Sequence, residues 1–277
     1  MQYFELDIRL KEVSLFADIL VAKLNEIEFE SYIEDENGLK AYIQTKRLDN
    51  GAVKDIMSEV SEQTELSFRI NKVKEENWNL KWESNYNPVF VNKSCVIRAQ
   101  FHNSFPEIKH EIIITPKMSF GTGHHETTLL MMNEMFSLDF KNKSVLDMGS
   151  GTGVLAILAS KLGARKLIGI DNDHWSFNNA KENSKLNNIS NVHFIHGNVN
   201  SINNSKFDII LANINRNVIL NDIEIYVNAM NVSADIFLSG FLEEDISLVL
   251  NKSNELGLKL IVSKNKNKWQ MLHLKKD

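Results

Sequence analysis

Val145-Leu146-Asp147-Met148-Gly149-Ser150-Gly151-Thr152-Gly153 decides the fold. A short apolar run ends in an acid and a tight glycine loop follows. Val154-Leu155-Ala156-Ile157-Leu158-Ala159 then reads as the first turns of a helix with a buried face. This is a strand–loop–helix junction. Glycine there lets the backbone approach a ligand closely, and the helix start supplies N–H groups without intrahelical partners.

The spacing narrows the ligand. A dinucleotide-binding turn reads G-x-G-x-x-G, its third glycine set for close helix–strand packing beside a pyrophosphate. Here the glycines read G-x-G-x-G, with Asp147 two residues ahead of the first. A carboxylate at that point repels a phosphate and suits a cation, such as the amino group on the methionyl tail of S-adenosylmethionine (SAM). Asp171 closes the next apolar run, Lys166-Leu167-Ile168-Gly169-Ile170, 22 residues past Gly149. An acid roughly 20 residues on is placed to accept from ribose hydroxyls. A lone glycine loop would be a plain turn. With both acids present, the stretch reads as a nucleoside-cofactor site, with Gly149 and Gly151 against the ligand.

Working outward, strand and helix alternate from Val145 on, the mark of a doubly wound parallel sheet. The predicted strands are Val145–Met148, Leu167–Ile170, Val192–Ile195, Ile209–Ala212 and Ile236–Ser239. Leu258–Val262 and Met271–Leu274 follow, joined by the polar turn Ser263-Lys264-Asn265-Lys266-Asn267-Lys268. The expected fold is α/β, a Rossmann-like seven-stranded sheet closed by a C-terminal antiparallel hairpin. That hairpin points to class I methyltransferases and away from dinucleotide-binding folds. Asn213 ends the fourth strand in Ala212-Asn213-Ile214-Asn215, where polar groups meet the ligand crevice. Its carbonyl oxygen suits an incoming amine; the bland alternative is an Asx turn.

Upstream, the first 73 residues read β-α-β-β-α-β, a ferredoxin-like α+β arrangement. Tyr3–Ile8, Phe29–Ile33, Leu39–Thr45 and Leu66–Ile70 are the strands. Val13–Leu24 and the Val53, Ile56, Met57, Val60 stripe are the helices. No catalytic cluster stands out, so the module reads as substrate recognition. Residues 74–85 form a charged linker, and 86–277 the SAM domain. Trp78 and Trp82, four apart, read as packing. Phe90–Val91 and Cys95–Phe101 suggest a hairpin, with another strand at Glu111–Thr115. The loop Phe120-Gly121-Thr122-Gly123-His124-His125-Glu126-Thr127-Thr128 then feeds an apolar helix. Thr127 and Thr128 fall around its N-cap, and the loop reads as a lid whose Thr128 touches the cofactor. His124, His125 and Glu126 lack a third ligand at metal-site spacing, so no metal is expected.

Composition excludes other classes. Of 277 residues, 43% are hydrophobic and 24% charged, a globular balance. No apolar run approaches the ~20 residues of a membrane span. The N-terminus lacks a basic region followed by an apolar one, so no signal peptide is expected. A single cysteine, Cys95, suits a reducing compartment, the cytoplasm. Residues 1–75 hold 16 acids and 10 bases, whereas the remainder holds 20 acids and 21 bases. An acidic front module is a poor nucleic-acid binder and tolerates or attracts a basic protein.

The chain resembles the ribosomal protein L11 methyltransferases over nearly its whole length. The resemblance lies in Phe120-Gly121-Thr122-Gly123, His125 and Thr127-Thr128. It continues in Val145 to Gly153, Gly169-Ile170-Asp171-Asn172-Asp173, Ala212-Asn213-Ile214 and Leu238-Ser239-Gly240. It implies SAM contacts at Thr128, Gly149, Asp171 and Asn213. It also implies a front domain that grips ribosomal protein L11, and methylation of lysine ε-amines and an N-terminal α-amine. Glu126 stands where a proline is common, and Asn215 where an apolar residue is usual.

The expected chemistry is in-line displacement, an unprotonated amine attacking the sulfonium methyl. On the order of one free lysine in a thousand is neutral at pH 7, so the site must desolvate the amine or receive its proton. Asn213 is the residue expected to align the nitrogen, in a monomeric enzyme without membrane or direct nucleic-acid contact. The alternatives are an amine methyltransferase for another protein or a small molecule, and a non-catalytic SAM-binding module.

Overall fold

The computed structural model describes residues 2–73, 83, 85–117 and 119–277. The linker residues Lys74–Asn77, with Trp78 and Trp82, lie outside them. The chain divides into two compact units, Met1–Asn85 and Tyr86–Asp277.

The first unit runs β1 (Tyr3–Leu10), α1 (Val13–Glu26), β2 (Ser31–Asp35), β3 (Gly38–Gln44), α2 (Asn50–Ser61) and β4 (Leu66–Lys72). Its sheet has the order β2-β3-β1-β4, and every pairing is antiparallel. Alternation along β1 and β3 puts Leu6, Ile8, Leu39, Ala41 and Ile43 on one face, where they meet Leu20 and Leu24 of α1 and Val53, Met57 and Val60 of α2. Asp49 starts α2, accepting from the Gly51 and Ala52 amides at 2.8 and 3.2 Å.

The second unit begins with β5 (Val89–Asn92), β6 (Cys95–Ala99) and β7 (His110–Ile114), a small sheet in that order. β5 and β6 form the expected antiparallel pair, and β7 joins β6 in parallel. Next come α3 (Glu126–Met135), β8 (Ser144–Met148), α4 (Val154–Lys161), β9 (Lys166–Asp171), α5 (His174–Leu186), β10 (Val192–His196) and β11 (Phe207–Asn213). The chain ends with α6 (Arg216–Ala229), β12 (Met230–Leu242), α7 (Ile246–Glu255), β13 (Leu258–Lys266) and β14 (Trp269–Lys276).

The large sheet has the order β10-β9-β8-β11-β12-β14-β13. Pairings among β10, β9, β8, β11 and β12 are parallel, and β14 runs antiparallel to both of its neighbours. One apolar cluster holds Val145, Leu167, Ile209 and Leu211 with α3 and α4, and a second holds Leu146, Ile170, Ile210 and Ile236 with α6. Strands buried on both faces explain the continuous apolar runs of the sequence. The strand order reverses between β8 and β11, so the crevice at their carboxyl ends is the topological switch point. Among the described residues no helix is long and apolar enough to cross a membrane.

Two expectations need correction. The last turn is not six residues long. Lys266 pairs with Trp269, leaving a tip of Asn267 and Lys268, both at positive φ. Two successive left-handed residues make the two-residue hairpin turn whose twist matches the strands. The second concerns the helix after the Gly-Thr-Gly loop. Its N-cap is His125, and Thr127 and Thr128 lie inside its first turn.

Candidate active site

The glycine loop is fixed from both sides. The Gly149 and Ser150 amides donate to the Ile170 carbonyl, tying the loop to the end of β9. The Thr152 amide donates to the Phe120 carbonyl at 2.9 Å, and its hydroxyl to the Gly121 carbonyl at 2.6 Å. Gly151 has φ +53°, and a Cβ there would lie 2.3 Å from the Phe120 oxygen. Only glycine fits that left-handed position under a neighbouring backbone. The Gly-Thr-Gly stretch, expected as a lid over the cofactor, is packed on the glycine loop through these contacts.

The two acids differ. Asp171 lines the cleft, and each of its oxygens already accepts one backbone amide, from Gly151 at 2.7 Å and from Asp173 at 2.9 Å. A carboxylate oxygen has a second lone pair for a hydroxyl. Asp147 lies behind the loop, 1% exposed, and is not part of the cleft lining. Its Oδ2 accepts from the Ala156 amide at 3.0 Å, completing the start of α4, which has no side-chain cap of its own. Its Oδ1 is buried with no hydrogen-bond partner among the described residues. Burial pushes this carboxyl up to about 7, the Asp171 charge adding to the rise and the Ala156 amide opposing it.

Asn213 closes β11 beside the loop. Its Nδ2 donates to the Thr128 hydroxyl at 3.4 Å. Its Oδ1 is buried and unpartnered among the described residues. Thr128 is fully buried and stands behind the cleft, in contact with Asn213 and not in the lining. The cleft, about 360 Å³, is lined by Gly149, Gly151, Asp171 and Asn213 of the expected set, joined by Phe120, His125, Thr127, Ile214 and Trp269.

Trp269 lines the cleft although no local sequence pattern marks it. It opens β14 and pairs with Leu242 at the carboxyl end of β12, which brings it to the cleft. Its signal was topological, because a return strand beside β12 must start where β12 ends. The adjacent histidines do different things. His124 bonds the Asn87 carbonyl and the Thr122 hydroxyl, while His125 caps α3. Asn215 is the N-cap of α6, accepting from the Val218 amide at 3.1 Å, which explains a polar residue there.

Comparison with known proteins bears on this cleft. Residues 13–277 match the family model described as ribosomal protein L11 methyltransferase (PrmA). The chain belongs to the ribosomal protein L11 methyltransferase family. A relative from Bacteroides thetaiotaomicron is 40% identical over 273 residues, covering 97% of this chain and 98% of its own. One from Porphyromonas gingivalis is 40% identical over 286 residues, covering 99% and 96%. Both are named ribosomal protein L11 methyltransferase. The crystal structure of a ribosomal protein L11 methylase from Lactobacillus delbrueckii subsp. bulgaricus superposes with a TM-score of 0.65 at 26% identity, covering 69% of this chain and all of that one.

SAM fits the donor set of this family member. The buried oxygens of Asp147 and Asn213 that lack a partner among the described residues lie on the two strands that flank the switch point, where positive charge is favoured. Asp171 keeps acceptor capacity toward the cleft.

Proposed function

We propose that this chain is a SAM-dependent N-methyltransferase that modifies lysine ε-amines, the N-terminal α-amine, or both, on ribosomal protein L11. The observation that carries the chemistry is the Asn213 side chain. Its Nδ2 is engaged by Thr128, so its Oδ1 is left to accept from an amine beside the glycine loop.

Bound SAM supplies an electrophilic methyl group on a sulfonium. In the proposed site Asp171 takes the ribose hydroxyls, the backbone at Gly149 and Gly151 lies along the ligand, and Asp147 supports the positive end from behind the loop. Asn213 and Thr128 hold the amine lone pair in line with the methyl carbon. Transfer would join the amine nitrogen to the methyl carbon that SAM supplies, leave its sulfur as a neutral thioether, and give an ammonium whose proton would pass to water. Most of the barrier reduction is alignment. The first unit, whose strand order and connections support a ferredoxin-like assignment, is the proposed grip on the protein substrate. Residues 1–73 and 86–277 are the two functional modules in this reading. The enzyme works as a monomer in the cytoplasm, without direct nucleic-acid recognition.

Incubation with labelled SAM and total ribosomal proteins, followed by mass spectrometry, tests the proposal. Label on L11 amines is expected. Label on RNA, or SAM binding without transfer, overturns it. Label on another protein or on a small amine supports the alternative that the same cleft serves a different amine.

A further inference from the structure

His125 lines the cleft and caps α3, and the proposed transfer step gives it no part. Its φ of −77° and ψ of 141° are those of an N-cap, and its Nδ1 accepts from the Thr127 amide at 3.3 Å. The Thr127 hydroxyl lies 2.8 Å from the same nitrogen. An amide N–H donates and never accepts, so Nδ1 must present its lone pair. In a neutral imidazole the ring proton is then on Nε2. The ring is held between Phe120, at 5.0 Å between centroids, and Trp269, at 4.6 Å, each nearly edge-on. All three line the cleft with Asn213.

A histidine in a methyl-transfer cleft invites the role of proton acceptor. The hydrogen bonds argue otherwise, because one ring nitrogen is used by the cap and the other carries the proton. We propose that His125 is a positioning residue that starts α3 with its Nδ1, fixes the Nε2–H tautomer and takes no proton from the substrate amine. The effect reaches the reacting atoms through one element. His125 sets the first turn of α3, that turn carries Thr128, and the Thr128 hydroxyl holds the Asn213 amide so that its Oδ1 is free for the amine. The inference rests on the cleft being a methyl-transfer site.

Four single variants and one spectrum test it on the full chain. His125→Ala lowers kcat roughly tenfold to a hundredfold, the scale expected for misplacing an alignment group, with SAM affinity within a few-fold of the parent. Asn and Ser are favoured N-caps whereas Gln is not. His125→Asn and His125→Ser therefore recover most of that loss, and His125→Gln does not. Nitrogen-15 NMR of the imidazole in the unmodified protein shows an unprotonated Nδ1 and a protonated Nε2. A protonated Nδ1, or an Asn variant as slow as the Ala variant, overturns the proposal. Absence of any methyl transfer by the parent protein defeats the functional reading instead, and the tautomer spectrum still judges the cap.

Discussion

In the proposed mechanism Asn213 is the residue on which the chemistry turns. It donates to Thr128, and its buried Oδ1, unpartnered among the described residues, is the atom the proposal gives to the amine. Asn213→Ala removes the aligned acceptor and little else of the cofactor site. The expected outcome is a fall in kcat of about a hundredfold, with the SAM dissociation constant by calorimetry within several-fold of the parent. Near-normal turnover would remove Asn213 from the mechanism. Asp147 makes a different claim, about stability. Its carboxyl stands at about 7 in the folded protein because of burial and near 3.9 in an unfolded chain. Between those values the folded state holds a proton that the unfolded state has released. The group's contribution to stability is therefore full below about pH 4 and lost as pH rises through about 7. Without SAM, the urea midpoint should fall from pH 5 to pH 8 by more in the parent than in Asp147→Asn. Equal falls in the two proteins would show that Asp147 does not titrate in that window.

At the scale of elements, backbone geometry separates glycines that the sequence does not. Gly151 and Gly257 both adopt positive φ, at +53° and +79°. A Cβ on Gly151 meets a backbone carbonyl at 2.3 Å, while one on Gly257 meets nothing within 4 Å. Gly257→Ala should therefore cost only the left-handed penalty, about 1 kcal/mol. Gly151→Ala must push the Phe120 segment off the loop, and should cost distinctly more in urea denaturation and abolish measurable SAM binding. A SAM-binding Gly151→Ala protein of near-normal stability would refute the packing of these two loops. Local pattern explains what was legible. Asp147, the glycine loop, Asp171 and Asn213 sit at strand ends whose apolar runs announce them. His125 was not legible as a cap, because histidine is not among the side chains that favour N-caps. Trp269 was not legible because β14 lies between β12 and β13, an order unlike that of the sequence. Asn215 stands out in the sequence as polar where an apolar residue is usual, and its role as the N-cap of α6 accounts for it.

At the scale of the molecule, charge and chemistry are divided between the modules. The acidic excess falls in residues 1–75, while Asp147 and Asp171, the acids proposed for the cofactor, are buried in the second unit. If the front unit attracts a basic protein substrate, that attraction runs through solvent and is screened over about 10 Å at 0.1 M salt and about 3 Å at 1 M. Charges buried beside the cleft are screened far less. Raising NaCl from about 50 mM to about 500 mM should therefore increase KM for L11 several-fold, with kcat nearly constant. The SAM dissociation constant should move by less than about twofold over the same range. The opposite pattern, a salt-insensitive KM for the protein, would mean that the front unit recognises its substrate by apolar contact. Its charge would then serve solubility alone.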